Sequence, residues 1–187
     1  MIASPEDAVR ANIGISLVPE DRKTEALFLK LTGKQNVSLP VIDRFVRGVL
    51  IDGDAETKAV SRVFKLLEVD ARALWTRVGA FSGGNQQKIA IAKWLLAESR
   101  VLLLFDPTRG IDVGTKSEIY RLMRDYADSG GAVLFHSTEV PELVHLADRV
   151  LVFYAGKIAA DIPSERLSEE AILRAALGTA DGVEAAA

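Results

Sequence analysis

Phe81-Ser82-Gly83-Gly84-Asn85-Gln86-Gln87-Lys88, running straight into the apolar segment IAIAKWLLAES of residues 89–99, decides how this chain is read. A serine and two glycines at the start of a helical pattern leave backbone N–H groups bare, because the first donors of a helix have no internal acceptor. The helix dipole puts partial positive charge at the same end, which favours an anion there. Glycine admits a phosphate where a Cβ would block it. Within Ser82–Glu98 the spacing puts Ile89, Ala92, Leu95 and Leu96 on one buried face. Just beyond, residues 101–114 read VLLLFDPTRGIDVG, an apolar strand that ends in an acid and a turn. Val101–Phe105 is apolar at every position, as in a strand covered on both sides.

Outward from this centre, Ser4-Pro5-Glu6-Asp7 has the order of a helix start running to about Asn12. Ile13–Val18 reads as a short strand, broken by the charged string Pro19-Glu20-Asp21-Arg22-Lys23, in which Arg22 and Lys23 read equally well as solvated charges. Residues 24–52 mix apolar and turn residues without a clear period. Ala55–Val69 carries a helical stripe at Val60, Val63, Phe64 and Leu67. Thr115–Ser129 is helical, with Ile119, Leu122, Met123 and Tyr126 inward, and Gly130-Gly131 ends it. Ala132–Phe135 reads as a second buried strand and Pro141–Ala147 as a short helix. Val150–Tyr154 and Lys157–Asp161 read as strands around an Ala155-Gly156 turn. Ser168-Glu169-Glu170 caps a last helix that stops at Gly178. The tail, Thr179–Ala187, reads as disordered. Strands alternating with helices in the second half predict an α/β fold with a mainly parallel sheet.

With 187 residues, 49% hydrophobic and 26% charged, the chain has ordinary globular usage and can bury a core. A net charge of −3 offers no basic footprint and argues against a nucleic-acid partner. It contains no cysteine, which fits a reducing compartment without requiring one. No apolar run is long enough to span a bilayer.

Ser82-Gly83-Gly84-Asn85-Gln86-Gln87-Lys88 followed by Pro107-Thr108-Arg109-Gly110-Ile111-Asp112-Val113-Gly114 resembles the signature motif, Walker B strand and D-loop of ABC-type ATPases. The resemblance is to the second nucleotide-binding half of the sugar-import ATPases, of ribose, xylose and galactoside type. It implies a P-loop NTPase domain fragment with ATP and Mg²⁺ as cofactors. It also implies a second ABC nucleotide-binding half, a transmembrane sugar permease and, indirectly, a periplasmic sugar-binding protein as partners, at the cytoplasmic face of the membrane. The segments it implies are a residual core piece over 1–18, a helical subdomain over 19–98, a RecA-like α/β core over 99–178 and the tail over 179–187. No Gly-x-x-x-x-Gly-Lys-Ser/Thr loop occurs in the sequence; Gly33-Lys34-Gln35 is the one Gly-Lys pair before the signature. The resemblance therefore implies a chain beginning inside the domain, without the Walker A strand, loop and helix, and a sheet with an unpaired edge.

In the family the strand ends Asp-Glu-Pro-Thr. Pro107-Thr108 sets the register, so Phe105 stands at the metal-binding aspartate and Asp106 at the general-base glutamate. A phenyl ring offers no oxygen to Mg²⁺. Asp106 is one methylene shorter than the glutamate, and a misplacement of about 1 Å can cost about 10²-fold in rate. Without the resemblance, Phe105 reads as a core residue at a strand end and Asp106 as a turn acid before proline. Pro141-Glu142 places Thr138 at the switch histidine's position, while His136 reads as a satisfied core residue and His145 as structural. Glu20 stands at the Q-loop glutamine. Ser82, Gly83, Gly84 and Asn85 match the part of the motif that contacts ATP held by a partner half, and Asp112 faces that partner. The resemblance thus implies a chain that completes another half's ATP site. The alternatives are a permease- or partner-docking module without catalysis, and a decayed domain. A repair or translation factor fits less well, since no long coiled-coil or basic insertion is present.

Overall fold

The computed structural model describes Ser4, Asp7 and residues 14–178; the helix expected over Ser4–Asn12 and the tail Thr179–Ala187 otherwise lie outside the described residues. The described chain divides into two units, Met1–His136 and Ser137–Ala187.

The first unit is organised by three parallel strands in the order β1 (Ile15–Val18), β4 (Val101–Phe105), β5 (Ala132–His136), with Leu17 opposite Leu103 and Leu103 opposite Leu134. Leu102 and Leu104 on one face are fully buried. On the other face Leu134 is 63% and Phe105 48% exposed, and Leu17 is exposed as well. The strands expected to be covered on both sides are thus covered on one. β5, expected as a buried strand, is an edge strand with Ala132, Leu134 and His136 open. Among the described residues, α3 (Gly83–Leu96) packs on β1 and α4 (Val113–Asp128) on β5, and the buried Leu102 and Leu104 mark the covered face. Ser16 and Ser99, both buried, share a hydrogen bond that ties β1 to the entry of β4.

Between β1 and α3 the chain builds a mostly helical segment. The stretch without a clear period resolves into a π turn over Arg22–Ala26, α1 (Gly33–Ser38), a 3₁₀ segment over Leu39–Phe45 and a two-residue hairpin of β2 (Val46–Arg47) and β3 (Leu50–Ile51). Short irregular elements carry no repeating apolar signal, which is why no period was visible. Gly33-Lys34-Gln35 opens α1: Thr32 Oγ1 accepts from the Gln35 amide at 3.2 Å, and Gln35 Oε1 accepts from the Thr32 amide at 3.0 Å, a capping box. Next comes α2 (Gly53–Leu66), which buries Ala59, Val60 and Phe64.

Helix α3 differs from its expected stripe. Gln86 through Lys93 are buried on every side, whereas Leu95 and Leu96 are only half-buried. Helices α1, α2 and α4, the π turn and β1 all pack against it, so no face remains for solvent. Three of its polar residues reach carbonyls: Gln86 Nε2 donates to Phe81 O at 2.9 Å, Lys88 Nζ to Glu68 O at 3.2 Å, and Lys93 Nζ to Ala26 O, while Gln86 Oε1 and Gln87 Nε2 are buried without a hydrogen-bond partner. Burial pulls the Lys93 ammonium below the usual lysine range. Asp112 caps α4, its carboxylate accepting from the Thr115 amide at 3.0 Å and the Thr115 hydroxyl at 2.8 Å. The Thr115 backbone amide above all holds the Asp112 carboxyl below the usual aspartate range.

The second unit is an antiparallel hairpin of β6 (Arg149–Tyr154) and β7 (Lys157–Pro163) with two helices, α5 (Val140–Leu146) and α6 (Glu169–Ala176). Ala155 and Gly156 have φ of 48° and 78°, the left-handed pair that a tight hairpin turn requires. Val150, Val152, Ala160, Ile162 and Ile172 form its core. Ser168 caps α6 by accepting from Ala171 N at 3.1 Å.

Two outcomes follow from this packing. Ile91→Ala in the middle of α3, where the side chain is fully buried, lowers unfolding stability by about 2–5 kcal/mol in urea titration. The Asp112 cap, with its carboxyl titrating lower when folded than when unfolded, stabilises fully above the unfolded value and is lost as pH falls through the folded one. In acid the urea midpoint of the wild type therefore falls more steeply than that of Asp112→Asn, which keeps a cap but does not titrate.

Candidate functional site

Two helix starts meet in the first unit. The α3 N-terminus is capped by exposed Ser82, whose Oγ accepts from Asn85 N at 3.5 Å. The α4 N-terminus is capped by Asp112. They touch through Gly84, which is buried: a Cβ there would lie 2.7 Å from both Oγ1 and Cγ2 of Thr115. Any side chain at Gly84 would push the helices apart. The amides of Gly83 and Gly84 stand in the first turn, where the helix supplies no acceptor.

The segment leaving β1 closes the third side. Asp21 caps the π turn, accepting from Lys23 N at 3.0 Å. Arg22 Nη1 donates to Arg109 O at 3.1 Å, and Arg22 Nη2 lies where a Gly83 Cβ would fall within 2.6 Å of it. Arg22 Nε is buried without a hydrogen-bond partner, and this desolvation pulls the guanidinium below its usual range. Glu20 pairs with Arg109, so its carboxylate is committed to the turn after β4 rather than free to reach a metal.

Of the residues singled out in the sequence, Ser82, Gly83, Gly84 and Asp112 are thus brought together, with Glu20 held beside them through Arg109. Asn85 is nearby but has a scaffold role: its Oδ1 accepts from Asp70 N at 3.2 Å, and its Nδ2 donates to Ser82 Oγ at 3.4 Å. Sequence reasoning passed over Arg22, Arg109 and Thr115. Arg22 read as a solvated charge and Arg109 was only part of the turn after the strand; no local signal marks Thr115 as the neighbour of Gly84.

The strand ends are built differently. Asp106 follows β4 with φ of 41°, an uncommon conformation for a non-glycine residue. Its amide donates to His136 O at 2.9 Å, and the Arg109 amide donates to Asp106 O at 3.0 Å, closing the turn. The Asp106 carboxylate is buried and stands 3.4 Å from His136 Nδ1. Phe105, expected in the core, is on the open sheet face, stacked on the His136 ring with centroids 5.8 Å apart. His136, also expected as a core residue, has a 57% exposed side chain. Both side chains alternate onto the uncovered face because strand neighbours point to opposite sides. Thr138 belongs to the second unit, in the link ahead of α5. There Ser137 Oγ donates to the buried Glu142 carboxylate at 2.7 Å. His145 is exposed on α5.

Chemically, the α3 end suits an anion: an exposed hydroxyl, two first-turn amides and a helix dipole, with the Arg22 guanidinium packed against Gly83. The β4 end does not suit a hard divalent cation. Phe105 contributes no oxygen, and among the described residues no group of three His, Cys, Asp or Glu is placed to hold a metal ion. No helix among the described residues is long and apolar enough to cross a membrane.

The sequence profile of the ABC transporter family matches residues 3–109. The ribose import ATP-binding protein of Mesorhizobium japonicum is 48% identical over 176 residues, 94% of this chain and 34% of that protein. The xylose import ATP-binding protein of Thermoanaerobacter pseudethanolicus is 41% identical over 177 residues, 95% of this chain and 35% of that protein. The chain therefore spans about a third of the length of these relatives. A dimeric ATP-binding cassette in a post-hydrolysis state, bound to ADP and Pi, superposes with a TM-score of 0.67 at 24% identity, over 80% of this chain and 62% of that one. A metal-chelate type ABC transporter in an inward-facing conformation gives 0.70 at 17% identity, over 88% of this chain and 64% of that one. These two likenesses carry the α/β fold. With its signature-like helix start, its cassette fold and the profile match over more than half its length, the chain belongs to the ABC transporter family.

Proposed function

We propose that the chain forms part of an ATP-binding protein that drives sugar import, and that it offers the Ser82–Gly84 face of α3 to ATP held by a second nucleotide-binding half. One observation carries this reading: the glycine-mediated meeting of two capped helix starts with an arginine against it. The sugar-import relatives support the physiological setting, and the dimeric ADP-bound cassette supports pairing of two halves.

In this scheme the Ser82 hydroxyl and the Gly83 and Gly84 amides face the terminal phosphate and stabilise the charge that develops on it, the term on which phosphoryl transfer depends most. Gly84 keeps α3 and α4 in contact, which holds the amides in place before the phosphate arrives. Asp112 directs the α4 start, and its negative charge leaves the α3 end as the anion-binding one. ATP with Mg²⁺ supplies the transferable phosphoryl group and its charge neutralisation. Phe105 makes this chain a poor host for the ion, so the metal belongs to the second half. Coupling to a transmembrane sugar permease, fed by a periplasmic sugar-binding protein, completes the role at the cytoplasmic face.

The test replaces the matched segment of the Mesorhizobium japonicum ribose import protein with this chain. The hybrid hydrolyses ATP, and Ser82→Arg lowers turnover by about 10²-fold or more, as loss of a charge-stabilising donor does. Turnover indifferent to Ser82→Arg removes the composite-site reading and leaves a docking role. The isolated chain shows no hydrolysis above background; turnover by it that survives Asp106→Asn contradicts the proposal.

A further inference from the structure

We propose that Arg22 is a positioning residue that fastens the segment leaving β1 to the start of α3 and to the turn after β4, so that these three move as one piece. The proposal deepens the role assigned above to Ser82–Gly84 and rests on that role for its catalytic consequence, but not for its structural claim.

The π turn Arg22–Ala26 is fixed to α3 at two points. At its end, Ala26 O accepts from the buried Lys93 Nζ, well inside the helix. At its beginning, Arg22 lies against Gly83 in the first helical residue and donates through Nη1 to Arg109 O. The turn is thereby pinned at both ends against α3, the helix that begins at Gly83. π turns are uncommon and concentrate at functional sites. Glu20 adds a third tie, its pair with Arg109 closing a loop of contacts through residues 20, 22 and 109.

Gly83 has a steric reason to be glycine that is separate from phosphate access. A Cβ there would come within 2.6 Å of Arg22 Nη2 and 3.2 Å of Gly110 O. The guanidinium ends a flexible side chain and can move aside, but in moving it puts its bond to Arg109 O at risk. Gly110, with φ of 67°, lets the turn bring that carbonyl up to the arginine. The signature glycine and Arg22 are therefore two halves of one contact. Displacing either removes one tie on the Arg109–Gly110 turn, which leads within two residues to the Asp112 cap of α4. A planar guanidinium can lie along the Gly83 backbone and still donate sideways to a carbonyl, which an ammonium cannot do.

Two measurements test this. In a double-mutant cycle on the full 187-residue chain, Gly83→Ala lowers the melting temperature in the wild-type background, and the loss shrinks by about half or more once Arg22→Ala has emptied the space. Equal losses in both backgrounds overturn the contact. In the ribose-import hybrid, Arg22→Ala lowers kcat by about tenfold or more with KM for ATP within about twofold, and Arg22→Lys restores little of it. A variant with unchanged kcat overturns the positioning role, even if its melting temperature has fallen. If the hybrid with Arg22 in place is itself inactive, the composite-site reading fails, while the cycle still decides the contact.

Discussion

From Gln86 to Lys93 the helix that begins at Ser82 has no side open to water, and much of the first unit is arranged to enclose it. A helix buried all round cannot roll or slide without opening cavities, so the direction in which its first turn points is fixed by packing rather than by the loop before it. The cost is that polar side chains on the helix must find partners inside. Lys88 does so with Glu118 at 2.5 Å and the Glu68 carbonyl, and Lys93 with the Ala26 carbonyl. These bonds reach the segments on either side of the helix, and each satisfied charge also serves as a tether.

The exposed end of that helix and the ends of the parallel strands stand in contrast. At the helix start, glycines 83 and 84 allow Arg22 and Thr115 to approach more closely than any other residue would permit. The result is a concentration of donors with few competing acceptors. At the strand ends, Phe105 presents a phenyl ring on the open sheet face, stacked on His136, and the buried Asp106 carboxylate stands beside the same exposed imidazole. Among the described residues the donor-rich helix start suits an anion, while no group of three His, Cys, Asp or Glu is placed to hold a metal ion. That separation is the physical basis for reading the molecule as one contributor to a shared nucleotide site.

Much of the secondary structure was legible because it depends on local chemistry. Ser82 and Ser168 cap helices where small polar residues precede apolar periods, whereas Asp112, which caps a helix opening at Val113 ahead of the expected start at Thr115, was not read as a cap. Gly130 and Gly178 follow helix ends with φ of 92° and 69°. The hairpin at Ala155-Gly156 was readable for the same reason. Residues 24–52 were not, since a π turn, a 3₁₀ segment and a two-residue hairpin are each too short to repeat a pattern. Coverage of the sheet was also illegible: Val101–Phe105 is apolar throughout, but a run of apolar residues says nothing about which neighbours arrive to cover each face.

By itself the sequence determined where most helices and strands outside residues 24–52 lie, and that Ser82-Gly83-Gly84 opens a helix. Capping groups, glycine freedom and apolar spacing all act over a few residues, so they survive translation into a string of letters. Only the tertiary structure decided that Glu20 and Arg22 meet Arg109, that Gly84 receives Thr115, and that Phe105 and His136 face outward together. Arg22 and Arg109 lie 87 positions apart in the chain. They are brought together by the parallel pairing of β1 with β4, and such pairing is set by long-range burial that no local pattern encodes.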